Sequence, residues 1–209
     1  LDKTQIQPGL NQNGQAVAEA GQVPSLTSQN NFINFCATQT GVPLTNGEQI
    51  KTGSCNPTIM GRIIQTDKMV SSKFVSPKNL DTVPANTNFT ITMAISNMVT
   101  GNFVNANANY YAAPCQVDGS GTVIGHSHIV VEEMTSLTQT AVTNPNVFAF
   151  FKGLNAAAVG GQLSATVAGG LAAGVYRIAS INTCSNHQPV MMAVAQHGSV
   201  DDMIYITVK

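Results

Sequence analysis

Residues 89–95 read Phe-Thr-Ile-Thr-Met-Ala-Ile. Apolar Phe89, Ile91, Met93 and Ile95 alternate with Thr90, Thr92 and Ala94, so one face of an extended chain is greasy and the other small or polar. Successive side chains of a strand leave opposite faces, and this period of two marks a half-buried β-strand. Working outward, similar short segments at 73–76, 107–112, 122–132, 147–152, 162–167, 174–181, 189–195 and 203–208 are expected strands, separated by Gly, Asn, Asp or Pro. That spacing predicts a mostly β protein, an antiparallel β-sandwich of immunoglobulin-like or jelly-roll type. Phe148, Phe150 and Phe151 are expected to fill its core. Ala156, Ala157 and Ala158 could start a helix, but Gly160, Gly161, Gly169 and Gly170 favour loop and a short strand.

The chain before residue 28 has a different character. It is polar, with Pro8-Gly9, Asn13-Gly14 and Pro24 as breakers, and is expected to be a long N-terminal arm that orders only when something holds it. Ser28 is placed to cap a short helix whose one face carries Phe32, Phe35 and Cys36. The expected organisation is therefore an arm, helix and disulfide loop over 1–66, followed by the sandwich over 67–209.

Charge composition narrows the partners. Only 9% of the 209 residues are charged and the formal net charge is -1, so no basic field exists to neutralise phosphates and nucleic acid is excluded as an expected partner. Apolar runs are broken by Gly, Asn or Thr within about eight positions, short of the ~20 needed for a membrane span. The chain opens at Leu1 with neither a basic nor a long apolar leader, as expected of a secreted protein after removal of its signal peptide.

Cys36, Cys55, Cys115 and Cys184 lack the CxxC spacing of zinc and redox motifs and read as two disulfides. Three pairings are open to four cysteines; Cys36–Cys55 and Cys115–Cys184 is the expected one, because the first two flank the turn-rich stretch GVPLTNGEQIKTGS. Asn88-Phe89-Thr90 is a candidate glycosylation sequon, in keeping with an extracellular chain.

All four histidines lie in the later part of the chain: His126, His128, His187 and His197. His126 and His128 are two apart on an expected strand, so both leave one face, about 6.6–7 Å apart along the backbone. Glu132 shares that face by parity. With His187 or His197 and an acid such as Asp201, they form a candidate site for zinc, copper or manganese. The plainer alternative is that the imidazoles bond to turn backbones and pack among the many Asn and Gln.

Other chemistry is less well supplied. Ser127 points to the face opposite both neighbouring histidines, so neither can serve as its base. Glu132 and Asp201 could make a glycosidase pair, but carboxylates are scarce. No Trp offers a platform for sugars, and Tyr110, Tyr111 and Tyr205 are expected in ordinary packing.

The segments NNFINFCA (30–37), SPKNLDTVPANTNFTITMAISN (76–97), GHSHIVVEE (125–133), NVFAFFKGLN (146–155), LAAGVYRIASINT (171–183) and NHQPVMMAVAQHGSVDDMIY (186–205) resemble a family of fungal secreted proteins. Some of its members carry a ribosomal-protein name, which the missing positive field contradicts. The resemblance implies a secreted fungal protein and no particular activity. SPKNLDTVPANTNFTI also resembles the opening strands of immunoglobulin-like modules in fungal wall-associated proteins.

The expected function is an extracellular structural or surface protein, self-assembling by laying its arm on a neighbour's sheet edge. The alternatives are a histidine-coordinated metal protein, redox or hydrolytic, and a binder of cell-wall polysaccharide.

Overall fold

The computed structural model describes residues 2–13, 15–17, 24, 27–48, 50–52, 55–106, 110, 111, 113–197 and 199–209. The chain divides into two units, Leu1–Asn46 with Ile50–Pro57, and Gly47–Gln49 with Thr58–Lys209.

In the first unit, the described residues form turns and short 3-10 segments. Lys3–Gln5 is one, started by Asp2, whose carboxylate accepts from the Thr4 amide, and Pro8–Asn11 is another. The arm is tied to its own unit: Asn31 bonds the Gln7 amide and the Gln5 carbonyl, and the Ser28 amide donates to Leu10. The expected helix from Ser28 is reduced to the 3-10 segment Phe35–Thr38. Its start is lost because Asn31 and Phe32 adopt left-handed φ values of 56° and 62°, which no right-handed helix accommodates. Ser28 still behaves as a cap, its Oγ accepting from the amides of Asn30 and Phe32. Cys36 is joined to Cys55, beside a parallel bridge between Leu44 and Cys55.

The second unit is a two-layer β structure. Its smaller sheet has the order β1 (Ser71–Ser76), β3 (Phe89–Ser96), β7 (Gln162–Val167), all antiparallel. The larger runs β2 (Thr82–Val83), β9 (Met203–Val208), β8 (Gly174–Cys184), β5 (Val123–Met134), β4 (Met98–Val99), with β6 (Phe150–Leu154) also on β5. Two short pairings, β2 with β9 and β4 with β5, are parallel.

Alternation decides what lies between the layers. Phe74, Ile91, Met93 and Leu163 from the smaller sheet pack in one cluster with Ile129, Val131, Ile178, Ile204 and Ile206 from the larger. Each fully buried side chain of this kind contributes about 1.5–3 kcal/mol, so this seam holds the sheets together. A second cluster, Ile64, Val70, Val123, Val190 and Val200, surrounds the disulfide Cys115–Cys184.

Two expectations need correction, and a third lies mostly outside the described residues. Residues 189–195 form no strand: Pro189 and Met192 make only isolated bridges, and the chain then enters the 3-10 segment Ala195–His197. Pro189 has no amide to donate to a ladder. Of 107–112, only Tyr110 and Tyr111 are among the described residues, and they lie in a turn. Phe150 packs against the core, but Phe148 and Phe151 are 54% and 50% exposed, because Phe151 pairs with Val130 on the outward parity of β6.

Candidate metal centre

β5 is the central strand, paired with β8 along ten successive residues from Gly125 to Met134. Ile129 and Val131 point into the core, which turns His126 and His128 to the other face. Gly125 allows the two strands to close at that end, since a Cβ there would run into the Thr183 carbonyl.

His187 arrives from the turn that follows β8. Cys184 donates its amide to Gln188 at 2.9 Å and His187 donates to Cys184 at 2.9 Å. The turn bends tightly enough to hold His187 at φ 70°, a region that is strained for a residue with a Cβ. The strain is sustained by its surroundings. Asn186 bonds the Ala113 carbonyl through its side chain and the Tyr111 amide through its own carbonyl, the Val104 amide donates to Ser185, and Cys184 is clasped to Cys115.

These elements bring three imidazoles together. Ring centroids are 4.8 Å apart for His126 and His128, 4.6 Å for His126 and His187, and 5.5 Å for His128 and His187. One nitrogen from each ring lies within 4.8 Å of the other two. Tetrahedral zinc bound at 2.0–2.1 Å needs nitrogens about 3.4 Å apart, so modest ring movements would close the set around an ion.

Proton positions suit that role. Nδ1 of His126 is 3.0 Å from the Asn102 carbonyl. A carbonyl only accepts, so Nδ1 carries the hydrogen and the neutral ring keeps its lone pair on Nε2. Metal-bound histidines are oriented in this way by their second nitrogen. His187 has the opposite feature: its Nδ1 is buried with no hydrogen-bond partner among the described residues. Leaving such a group unsatisfied costs about 1–3 kcal/mol.

Burial, with the neighbouring rings adding to it, pushes His126 and His128 down to about 4. Burial also lowers His187. All three are therefore neutral near pH 7 and have lone pairs to give.

The family model of the CLU5d N-terminal domain matches residues 72–209, the stretch that contains all three rings and the Cys115–Cys184 disulfide. The chain belongs to that family. A Colletotrichum graminicola protein named pathogenicity cluster 5 protein d is 43% identical over 210 residues, covering 100% of this chain. The chain spans 43% of that relative's length.

Elsewhere in this CLU5d domain, the other proposed ligands are engaged away from the three rings. Glu132 shares the strand parity of His128 but lies four residues along, about 13 Å by strand rise, and faces Arg177 on β8. It takes hydrogen bonds from Arg177 Nε at 3.0 Å and from its terminal nitrogen at 2.5 Å. Asp201 accepts from Ser180 Oγ at 2.9 Å and from the Asn182 amide at 2.7 Å, and burial raises its pKa. His197 ends the segment Ala195–His197 and is not among the three converging rings. Asn88 is exposed, its Oδ1 accepting from the Gly169 amide at 2.7 Å. Ser127 is fully buried, its Oγ 3.4 Å from the His128 carbonyl.

Aromatic rings border the histidines, a place other than the core and ordinary packing expected of Phe151 and Tyr110. Phe103 meets His126 edge-on at 6.0 Å, Phe151 stacks on His128 at 5.3 Å, and Tyr110 lies 5.7 Å from His187 while stacking on Tyr111 at 4.1 Å. Phe151 was within reach of parity: Gly153 pairs with His128 and Phe151 with Val130, so both share the histidine face. Phe103 sits outside any strand and carries no periodic signal, and Tyr110, in a segment expected as a strand, lies in a turn.

Proposed function

We propose that this chain is an extracellular fungal protein that binds one transition-metal ion through His126, His128 and His187. The observation that carries the reading is the convergence of three ring nitrogens within 4.8 Å, with the Nδ1 of His187 buried and without a hydrogen-bond partner among the described residues. A structural role alone would be met by hydrogen-bonded imidazoles, and the His187 Nδ1 has no partner among the described residues. An all-imidazole set suits zinc or copper(II), and manganese less well, since it prefers oxygen ligands.

Three neutral imidazoles leave the charge of a divalent ion uncompensated and a coordination position open, the arrangement of zinc sites that act on a bound water or ligand. The two disulfides support a compartment outside the cytosol. Assembly through the arm has less behind it, because the arm's described contacts are with its own unit.

Calorimetric titration of the intact, oxidised chain with zinc and with copper(II), followed by elemental analysis, tests the proposal. One ion per chain is expected, and His187→Gly should lose it while keeping the native circular dichroism. A natively folded chain that takes up no stoichiometric ion from either solution would overturn it.

A further inference from the structure

The geometry points to a phenol as the ligand of the open metal position, an inference that rests on the metal reading above. His126 is fully buried, whereas His128 and His187 line a pocket of about 480 Å³ together with Phe103, Val104, Phe151 and Asn155. An ion held by the three rings would have protein behind it on the His126 side and this pocket in front. The free coordination position therefore opens into the pocket.

The pocket wall selects the ligand. None of the described lining residues carries a formal charge at neutral pH, so among them a phosphate or polyanion would meet no cationic partner beyond the metal. Phe103 and Phe151 are 51% and 50% exposed despite their size, and each contacts a histidine of the cluster. Rigid, half-uncovered rings beside a polar centre present flat apolar area to a flat ligand. A sugar would bring many hydroxyl groups, for which Asn155 and Asn105 are the polar side chains besides the histidines among the described lining residues; unmatched hydroxyls cost affinity.

A phenol fits both halves of the site. Its ring covers Phe103 and Phe151, and its single oxygen takes the open position. A bound divalent ion lowers the pKa of an oxygen ligand as it does that of water, so the O–H bond breaks as the metal–oxygen bond forms and the proton leaves to bulk water. The bound phenolate then offsets one of the two metal charges in an otherwise uncharged pocket.

The test uses the copper(II)-loaded chain with two probes, 4-cyanophenol and azide. Azide needs only the open position; the phenol needs the aromatic walls as well. A saturable phenolate-to-copper absorption band is expected with 4-cyanophenol, weakened about tenfold or more in Phe151→Ala and in Phe103→Ala, with azide affinity and copper stoichiometry unchanged in both. Azide binding without any phenolate band overturns this inference and leaves the metal reading standing, as does a phenolate band of undiminished affinity in both variants. Failure of the natively folded chain to bind copper removes both.

Discussion

The Nδ1 hydrogen of His126 is spent on the backbone carbonyl of Asn102, 3.0 Å away, which leaves Nε2 as the basic nitrogen of a buried ring. In the metal-free protein at neutral pH, nitrogen-detected NMR should therefore find His126 in the Nδ1-protonated tautomer. A dominant Nε2-protonated signal would mean that the Asn102 contact does not form in solution and that Nε2 is not available to a metal.

The lowered pKa values translate into acid sensitivity. Above the ordinary histidine value of 6.5, His126 and His128 are neutral in both folded and unfolded chains and stability does not depend on them. Between 6.5 and about 4 the unfolded chain takes up protons that the folded chain refuses, so stability falls as pH falls, and below about 4 the loss levels off. The two rings together should cost roughly a few kcal/mol across that window. Denaturant titrations of the metal-free protein at pH 7, 5.5 and 4 measure it; a flat profile would contradict the buried neutral rings.

Metal uptake should follow the same protons. Because His126 and His128 stay neutral down to about 4 and burial lowers His187 as well, zinc or copper affinity should fall less between pH 7 and 5.5 than at a site of exposed histidines, with little proton release on binding at pH 7. Calorimetry in buffers of different ionisation enthalpy reads the proton count directly.

His187 separates ligand duty from stability. At φ 70° a glycine is free of the strain that any Cβ incurs, so His187→Gly should be more stable than His187→Ala by about 1–2 kcal/mol. Both variants should lose the metal. Equal stabilities in thermal melts would show that the turn relaxes in solution.

Glu132 should prove structural. Its carboxylate holds Arg177, which reaches on to Thr143 Oγ1 at 2.7 Å, and this pair is largely covered, with side-chain exposures of 10% and 25%. Glu132→Gln should lower stability by about 1–3 kcal/mol and leave metal stoichiometry untouched. Loss of the ion with an unchanged melting temperature would make Glu132 a ligand after all.

Much of the sheet was legible because alternation is a local property. FTITMAI became β3, and the segments expected at 162–167 and 203–208 became β7 and β9 with the same bounds. The segment at 189–195 deceived because its apolar Val190 and Met192 serve a cluster around Cys184 and Cys115, not a ladder. At the site, parity placed His126 and His128 on one face, but only the fold chooses between His187 and His197. That choice depends on where the turn after β8 points, and no spacing rule carries it. Glu132 obeyed parity and was still too far along the strand, where a directly opposite arginine claims it.

The Cys115–Cys184 clasp stands three residues before His187 and closes a separation of 69 residues, a link worth about 4 kcal/mol by chain entropy alone. Reduction of this one tether would leave the His126–His128 pair in place on its strand while removing one of the restraints on the third imidazole. Two donors hold an ion far less firmly than three, so a reductant that cuts this bond should weaken the affinity we propose for the three rings.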